Sequence, residues 1–213
     1  MKTSVLLSAV AWLKAAGRVA VAAAALGACM PVSHHPLSDP SKSKADPLII
    51  GQWHYQNEGK DILIRIGASP SAKCPGCMRA VSEEKGEGGK TETLCADFFP
   101  TPIGGKRFFN VPLSGEKMDF KSCGQEKPWA GYLFFQYEIT GGKRLTLNPI
   151  NYPELMTGVR KGELEGEWKQ HSGGSKTLQV LTSPGEKLRK YIQKNSAKFV
   201  IPAEEEQYLE KME

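Results

Sequence analysis

Cysteines are the residues of this chain whose spacing points most directly to chemistry. The sequence has five, Cys29, Cys74, Cys77, Cys95 and Cys123. The run Cys74-Pro75-Gly76-Cys77 has the spacing of a redox pair, which requires a helix directly after it. Residues 78–89 reach several glycines before a helix could be completed. A four-cysteine zinc site needs a second close pair, and Cys95 and Cys123 are 28 positions apart. We therefore predict structural disulfides and no metal site.

The pairing of these cysteines is left open by the sequence. If Cys29 has a separate role, an even number remains, and an oxidising compartment would turn them into two disulfides. Three pairings of Cys74, Cys77, Cys95 and Cys123 are then possible. A Cys74–Cys77 bond closes a very short loop and is geometrically the most demanding of the three.

Other candidate chemistry is weaker. Glu163, Glu165 and Glu167 recur at every second position and could share protons or bind a cation, but a solvent-facing strand explains them more simply. His54 and His171 are far apart in the sequence, and none of the common nucleophile, zinc-protease or phosphate-loop motifs is present. We predict no catalytic residues, no cofactor and no enzymatic activity.

Short alternating runs dominate the middle of the chain and indicate the elements that position these residues. Apolar residues alternate over 62–66 and 133–139, and the pairs Gly104-Gly105, Gly141-Gly142 and Gly173-Gly174 lie between or beside such runs. This pattern predicts hairpins in an antiparallel sheet that closes or nearly closes. Two short helices are expected, one near 153–161 and one at 184–194 with Ser183 as its N-cap. The predicted fold class is mainly β.

The first residues have the pattern of an export signal. Residues 1–28 carry three cations and no acid, and within them Val19 to Leu26 form a short apolar stretch rich in Val and Ala. The next motif, Leu26-Gly27-Ala28-Cys29, resembles the lipobox of bacterial lipoproteins. That resemblance implies a signal peptide over 1–28, cleavage before Cys29, a lipid on its sulfur, and attachment to a membrane. Met30 after the cysteine implies the outer membrane of a Gram-negative cell, with the protein facing the periplasm.

The remaining chain divides by composition. Residues 29–47, rich in Pro and Ser, are expected to form a flexible tether, 48–201 a β-rich body, and 202–213 a solvated acidic tail. The formal charge of the 213 residues is +5, and it falls to +2 without residues 1–28. That balance and the expected location outside the cytoplasm argue against nucleic-acid binding.

The body also carries a resemblance of its own. The run Ile50-Gly51-Gln52-Trp53-His54-Tyr55 resembles the Gly-x-Trp opening of lipocalin-like (calycin) barrels. Together with Tyr132-Leu133-Phe134-Phe135-Gln136-Tyr137, it is also similar to small uncharacterised exported bacterial proteins. The lipocalin resemblance implies a barrel, a last strand at 198–201, and a late arginine against Trp53, in place of which that strand offers only Lys198.

Two functions follow from these expectations. A barrel of about eight strands is just wide enough for one small ligand, and the aromatic residues expected to line an apolar pocket are Trp53, Phe108, Phe134, Phe135 and Tyr137. Alternatively, these aromatics fill the core, and the protein is a structural or partner-binding lipoprotein that engages another envelope protein and binds no ligand.

Overall fold

The computed structural model describes residues 32–57, 60–69, 74–85, 91–114, 128–170, 176–199 and 208–212. The first strands along the chain are β1 (Val32–Ser33), β2 (Gly51–Asn57), β3 (Lys60–Ala68), β4 (Met78–Lys85), β5 (Thr91–Ile103) and β6 (Lys106–Ser114). They are followed by β7 (Trp129–Thr140), β8 (Arg144–Pro149), β9 (Gly166–Gln170), β10 (Lys176–Leu181) and β11 (Tyr208–Lys211). The α-helices are α1 (Tyr152–Arg160) and α2 (Gly185–Lys194), and short 3₁₀ segments lie at Pro40–Lys42 and Ser196–Lys198.

Eight of these strands form a closed antiparallel barrel. Strands β2 to β8 pair in chain order, and β11 pairs with both β8 and β2 to complete the ring. The expected mainly β fold with an antiparallel barrel and two short helices is therefore confirmed. Closure leaves these eight strands without a free edge in the ring.

Glycine pairs make two of the predicted turns. Gly104 and Gly105 join β5 to β6 with φ of 58° and 80°, the left-handed values that a two-residue hairpin turn requires. Gly141 and Gly142 follow β7 with φ of 59° and 69°. The third pair, Gly173-Gly174, lies outside the described residues.

The segment expected to be a flexible tether instead packs on the barrel. We call residues 34–50 the strap. Leu37 and Ile49 are fully buried, and the backbone N–H of Leu37 donates to Oδ1 of the buried Asn110 at 2.7 Å. Just before the strap, β1 pairs with β7 at Ser33–Tyr132 and with β10. The prediction of a free tether over 29–47 is therefore wrong for residues 32–47. The segment has no periodicity, but the burial of its own Leu37 and of Ile49, and the hydrogen bond to Asn110, hold it on the barrel.

Replacing Asn110 is expected to release the strap. The Asn110 amide donates to Thr101 Oγ1 at 2.8 Å and to the Phe99 carbonyl at 3.2 Å, in addition to accepting from Leu37. Asn110→Ala removes all three hydrogen bonds and leaves the buried Leu37 N–H without its acceptor, while Thr101 keeps its bond to the Ser38 hydroxyl. We expect the free energy of unfolding to fall by about 2–4 kcal/mol. Chemical denaturation measures the loss, and limited proteolysis reports whether the strap becomes cleavable.

Asn151→Ala is the matched control. Its amide donates one exposed hydrogen bond, to the Lys198 carbonyl at 2.8 Å, and its loss should cost no more than about 1 kcal/mol. Equal losses for the two variants would contradict this account of the strap.

A second apolar layer covers the outer face of the barrel. Strands β1, β10 and β9 continue the sheet from β7, and the two helices pack with them. Leu155 of α1 and Leu188 and Ile192 of α2 lie in the same buried cluster as Ile103 of β5. The helices predicted near 153–161 and 184–194 are thus present. Ser183 does not cap α2, because its Oγ accepts instead from the Glu165 backbone N–H at 2.6 Å.

Tyr191 in this layer predicts a loss of stability at alkaline pH. Burial, followed by the nearby charge of Glu154, raises the pKa of Tyr191 from 10.0 to about 12. The folded state holds this proton more tightly than the unfolded state. The stabilisation is therefore complete below pH 10 and is lost as the pH rises towards 12. Unfolding measured across this window should show a shallower decline for Tyr191→Phe than for the parent chain, and equal slopes would contradict the prediction.

The end of the chain also differs from expectation. The strand predicted at 198–201 is not formed over its described residues, since Ser196–Lys198 is a 3₁₀ turn and Phe199 is buried under the helices. The tail expected to be solvated over 202–213 instead contains β11, with Leu209 buried in the barrel. A four-residue strand among glutamates is too short to produce a recognisable alternation.

Candidate functional site

The barrel interior is an apolar surface that could enclose a ligand. All eight barrel strands contribute to one buried cluster, joined by Ile49 of the strap. Its members are Trp53, Tyr55, Ile62, Ile64, Ile66, Met78, Ala80, Phe98, Phe109, Val111, Leu113, Leu133, Tyr137, Leu145 and Leu209. Inward-facing residues recur at every second position of each strand, as the pleat requires.

One wall of this interior carries small side chains. Ala80 of β4 is the cross-strand partner of Ala96 of β5, and Ser82 lies on the same face of β4 as Ala80 and Met78. All three small residues are buried. The Ser82 Oγ has no hydrogen-bond partner among the described residues. A buried hydroxyl without a partner is costly. This wall therefore combines small side chains with a polar group that is available to a ligand.

The aromatic residues predicted to line a pocket are divided between two faces. Trp53 and Tyr137 belong to the interior cluster, and Phe135 packs against it. Phe108 and Phe134 point to the outer face and are buried in the cluster beneath the helices. The prediction of one pocket from all five is therefore wrong for Phe108 and Phe134. Neighbouring residues such as Phe134 and Phe135 point to opposite faces of a strand.

Trp53 lies near the start of β2, where the strap leads into the barrel. Its side chain is fully buried, and the indole Nε1–H donates to the Ile49 carbonyl at 2.7 Å. The Lys211 ammonium lies 5.4 Å from the centre of the Trp53 ring and donates to the Leu48 carbonyl at 3.0 Å. The cation that lies against Trp53 is thus Lys211 of β11 rather than Lys198.

Gly51 is required by its backbone conformation. Its φ is 141°, a value that residues with a side chain rarely adopt. A Cβ on it would also lie 3.0 Å from Lys211 Cε, near the flexible end of the lysine side chain. The positive φ, more than this movable contact, explains the glycine of the Gly-x-Trp run.

A polar group borders the interior where the strap packs on it. The Tyr137 hydroxyl donates to Asp46 Oδ2 at 3.0 Å, and Arg107 Nη1 lies 3.6 Å from the same oxygen. The Tyr137 ring stacks on Phe109 with centroids 3.8 Å apart. Burial, and after it the negative charge of Asp46, raises the pKa of Tyr137 well above its ordinary value. Tyr137 therefore remains a neutral hydrogen-bond donor that links the strap to the interior.

Cys74 and Cys77 form a disulfide with each other. This bond belongs to the pairing that closes the shortest loop. Both are buried and pack with Phe99, against which Trp129 and Tyr132 are placed. The bond lies between β3 and β4 and does not precede a helix. A buried disulfide against aromatic rings fits a structural role. Cys95 is also disulfide-bonded, and Cys29 and Cys123 lie outside the described residues.

The acidic side chains singled out in the sequence face solvent. Glu163 and Glu165 contact Lys194 and Lys187 of α2 at 3.2 and 2.8 Å, and Glu167 is exposed. His171 lies outside the described residues. In the part of the chain that the structure describes, no three His, Cys, Asp or Glu side chains are grouped as a metal site would require.

Sequence reasoning misses several residues that shape the site. It places Asp46 in the tether and Lys211 in the tail, and it does not single out Ser82. The alternation of β4, read as apolar at Met78 and Ala80, would have placed Ser82 inward. Asp46 and Lys211 gave no comparable signal.

Comparisons with known proteins give no match, so the site is interpreted from its geometry alone. No family model matches the chain, and neither a curated protein nor a solved structure matches it. No helix among the described residues is long and apolar enough to cross a membrane. The site is thus an apolar barrel interior, against which Trp53 and Ile49 of the strap pack, with a small-residue wall on β4 and β5.

Proposed function

We propose that the barrel binds a small, mainly apolar ligand in its interior. The observation that carries this proposal is the inward-facing wall of Ala80, Ser82 and Ala96 in a closed ring of eight strands. A ring of that size has just enough interior for one small ligand, and small side chains on one wall enlarge the space. Binding sites for small molecules are typically apolar with a few placed polar groups.

The same wall indicates the chemistry of the ligand. Apolar side chains from every barrel strand favour a hydrocarbon body. The Ser82 hydroxyl, which lacks a partner among the described residues, favours one polar group on the ligand at the level of β4. A fatty acyl chain or a similarly narrow amphiphile has both features.

A fluorescent fatty-acid probe tests this proposal. We expect saturable binding by the parent chain and loss of binding in Ala80→Trp, whose indole would occupy the interior. Thr93→Trp is the matched control, because Thr93 of β5 is exposed and pairs with Glu83, on the face of the sheet opposite to Ser82. If Ala80→Trp does not fold, the smaller change Ser82→Ala replaces it as the test variant. We expect it to bind the probe more weakly, because it removes the hydroxyl offered to the polar group of the ligand. Absence of probe binding in the folded parent chain would contradict the proposal.

We further propose that the chain is a lipoprotein anchored through Cys29, with residues 1–28 removed and the protein attached to the outer membrane facing the periplasm. The lipobox-like run before Cys29 supports this proposal. The packed strap changes its geometry. Cys29 lies three positions before Val32 of β1, with two residues between them, a reach of about 10 Å even when fully extended. The barrel would then rest against the membrane instead of projecting on a tether.

Metabolic labelling with an alkyne palmitate tests the anchor. We expect label and membrane fractionation for the parent chain and neither for Cys29→Ser. Retention of the label in Cys29→Ser would contradict anchoring at this residue. Removal of the anchor leaves the fold unchanged, so failure of this test is distinguishable from failure of ligand binding.

A further inference from the structure

A cleft outside the barrel interior lies between the strap, the β5–β6 hairpin and α2. Its volume is about 640 Å³, within the range of small-molecule sites. Pro100 and Pro102 of β5 supply an apolar side, and Tyr137 with its Asp46 contact borders it. The cleft exists because the strap is packed rather than free.

The charged side chains that line the cleft include more cations than acids. Four are cationic, Lys42, Lys44, Arg107 and Arg189, and two are acidic, Asp39 and Asp46. They give the cleft a formal charge of +2.

The two acids are already paired. Lys42 lies 3.9 Å from Asp39, and Arg107 lies 3.6 Å from Asp46. Asp46 also accepts from Tyr137, and Asp39 accepts from the Ser41 backbone N–H and hydroxyl.

Lys44 and Arg189 are the cations that remain. Both are exposed, and neither side chain makes a hydrogen bond or ion pair with a described residue. Glu186, one turn before Arg189 on α2, is paired with Lys190 at 2.8 Å. The hydrogen bond and charge of Lys190, and after them the charge of Arg189, lower the pKa of Glu186. The strap and α2 thus each present to the cleft a cation that has no ion pair among the described residues, and β6 adds Arg107.

We propose that this cleft binds a phosphate group carried by a small molecule or a lipid headgroup. Arginine and lysine together recognise phosphate through charge and multiple N–H donors. The proline side of the cleft suits the less polar part of such a ligand. This site is separate from the barrel interior and does not depend on lipid at Cys29.

Titration of the full chain in neutral detergent tests the proposal, with the arginine Nε and strap amide resonances followed by NMR. The probes are inorganic phosphate, glycerol 3-phosphate, and dihexanoyl phosphatidylglycerol with dihexanoyl phosphatidylcholine as its zwitterionic comparison. We expect saturable shifts at Arg107, Arg189 and residues 42–46. The double variant Lys44→Ala/Arg189→Ala should lower phosphate affinity by about tenfold.

The charge-matched control is Lys161→Ala/Lys198→Ala, which removes two exposed cations outside the cleft and should change affinity by less than about twofold. Tighter binding of phosphatidylglycerol than of inorganic or glycerol phosphate supports a lipid headgroup, and equal binding of all three supports a soluble phosphate. The absence of saturable shifts with every probe, or equal weakening by the two double variants, would overturn the proposal.

Discussion

Leu209→Ala is expected to destabilise the protein by about 2–5 kcal/mol, the cost of emptying a buried leucine site. Leu209 belongs to the interior cluster, and β11, which carries it, completes the ring between β8 and β2. The substitution therefore weakens both the core and the closure of the barrel. Chemical denaturation of the parent and variant chains gives the difference in the free energy of unfolding.

Met212→Ala is the control for this prediction. Met212 is three positions later and about half exposed, so its truncation should change stability by less than about 0.5 kcal/mol. If the two variants lose equally little free energy of unfolding, the last strand does not stabilise the barrel, and the result agrees with a solvated tail.

Trp53→Ala should cost about 3–5 kcal/mol. The substitution removes a fully buried indole, leaves the Ile49 carbonyl without its 2.7 Å donor, and removes the ring beneath the Lys211 ammonium. The strap enters β2 at this point, so its attachment should weaken as well. Thermal and chemical unfolding measure the loss, and protection of the strap amides from hydrogen exchange reports its release.

Trp168 provides an unusually close comparison. It also lies on a strand beneath a cation, with Arg160 5.5 Å from its ring centre, but it is only partly buried. Trp168→Ala should cost about 1–2 kcal/mol. Similar losses for the two variants would mean that the Trp53 site has no special role in stability.

The barrel was predictable because its signals are local. Alternation over 62–66 and 133–139 defines two faces, and glycine pairs at 104–105 and 141–142 provide the turns between strands. The strap and β11 were missed because their positions depend on distant partners. Asn110 holds Leu37 across 73 positions, and the alternation of β11 is only four residues long.

The candidate site was predictable only in part, for a related reason. Trp53 and Tyr137 were placed in the interior correctly, but Phe108 and Phe134 lie beneath the helices. A strand covered on both faces is apolar on both, so hydrophobicity does not distinguish inward from outward residues. Pairing register supplies the missing information, as it does for Ser82 and Ala80.

Native mass spectrometry of the full chain purified from its native cell tests the central claim most directly. Our account predicts a bound apolar small molecule on the parent chain, retained in Thr93→Trp and absent from Ala80→Trp. A folded parent chain that carries no ligand and acquires none from added fatty acid would contradict the account.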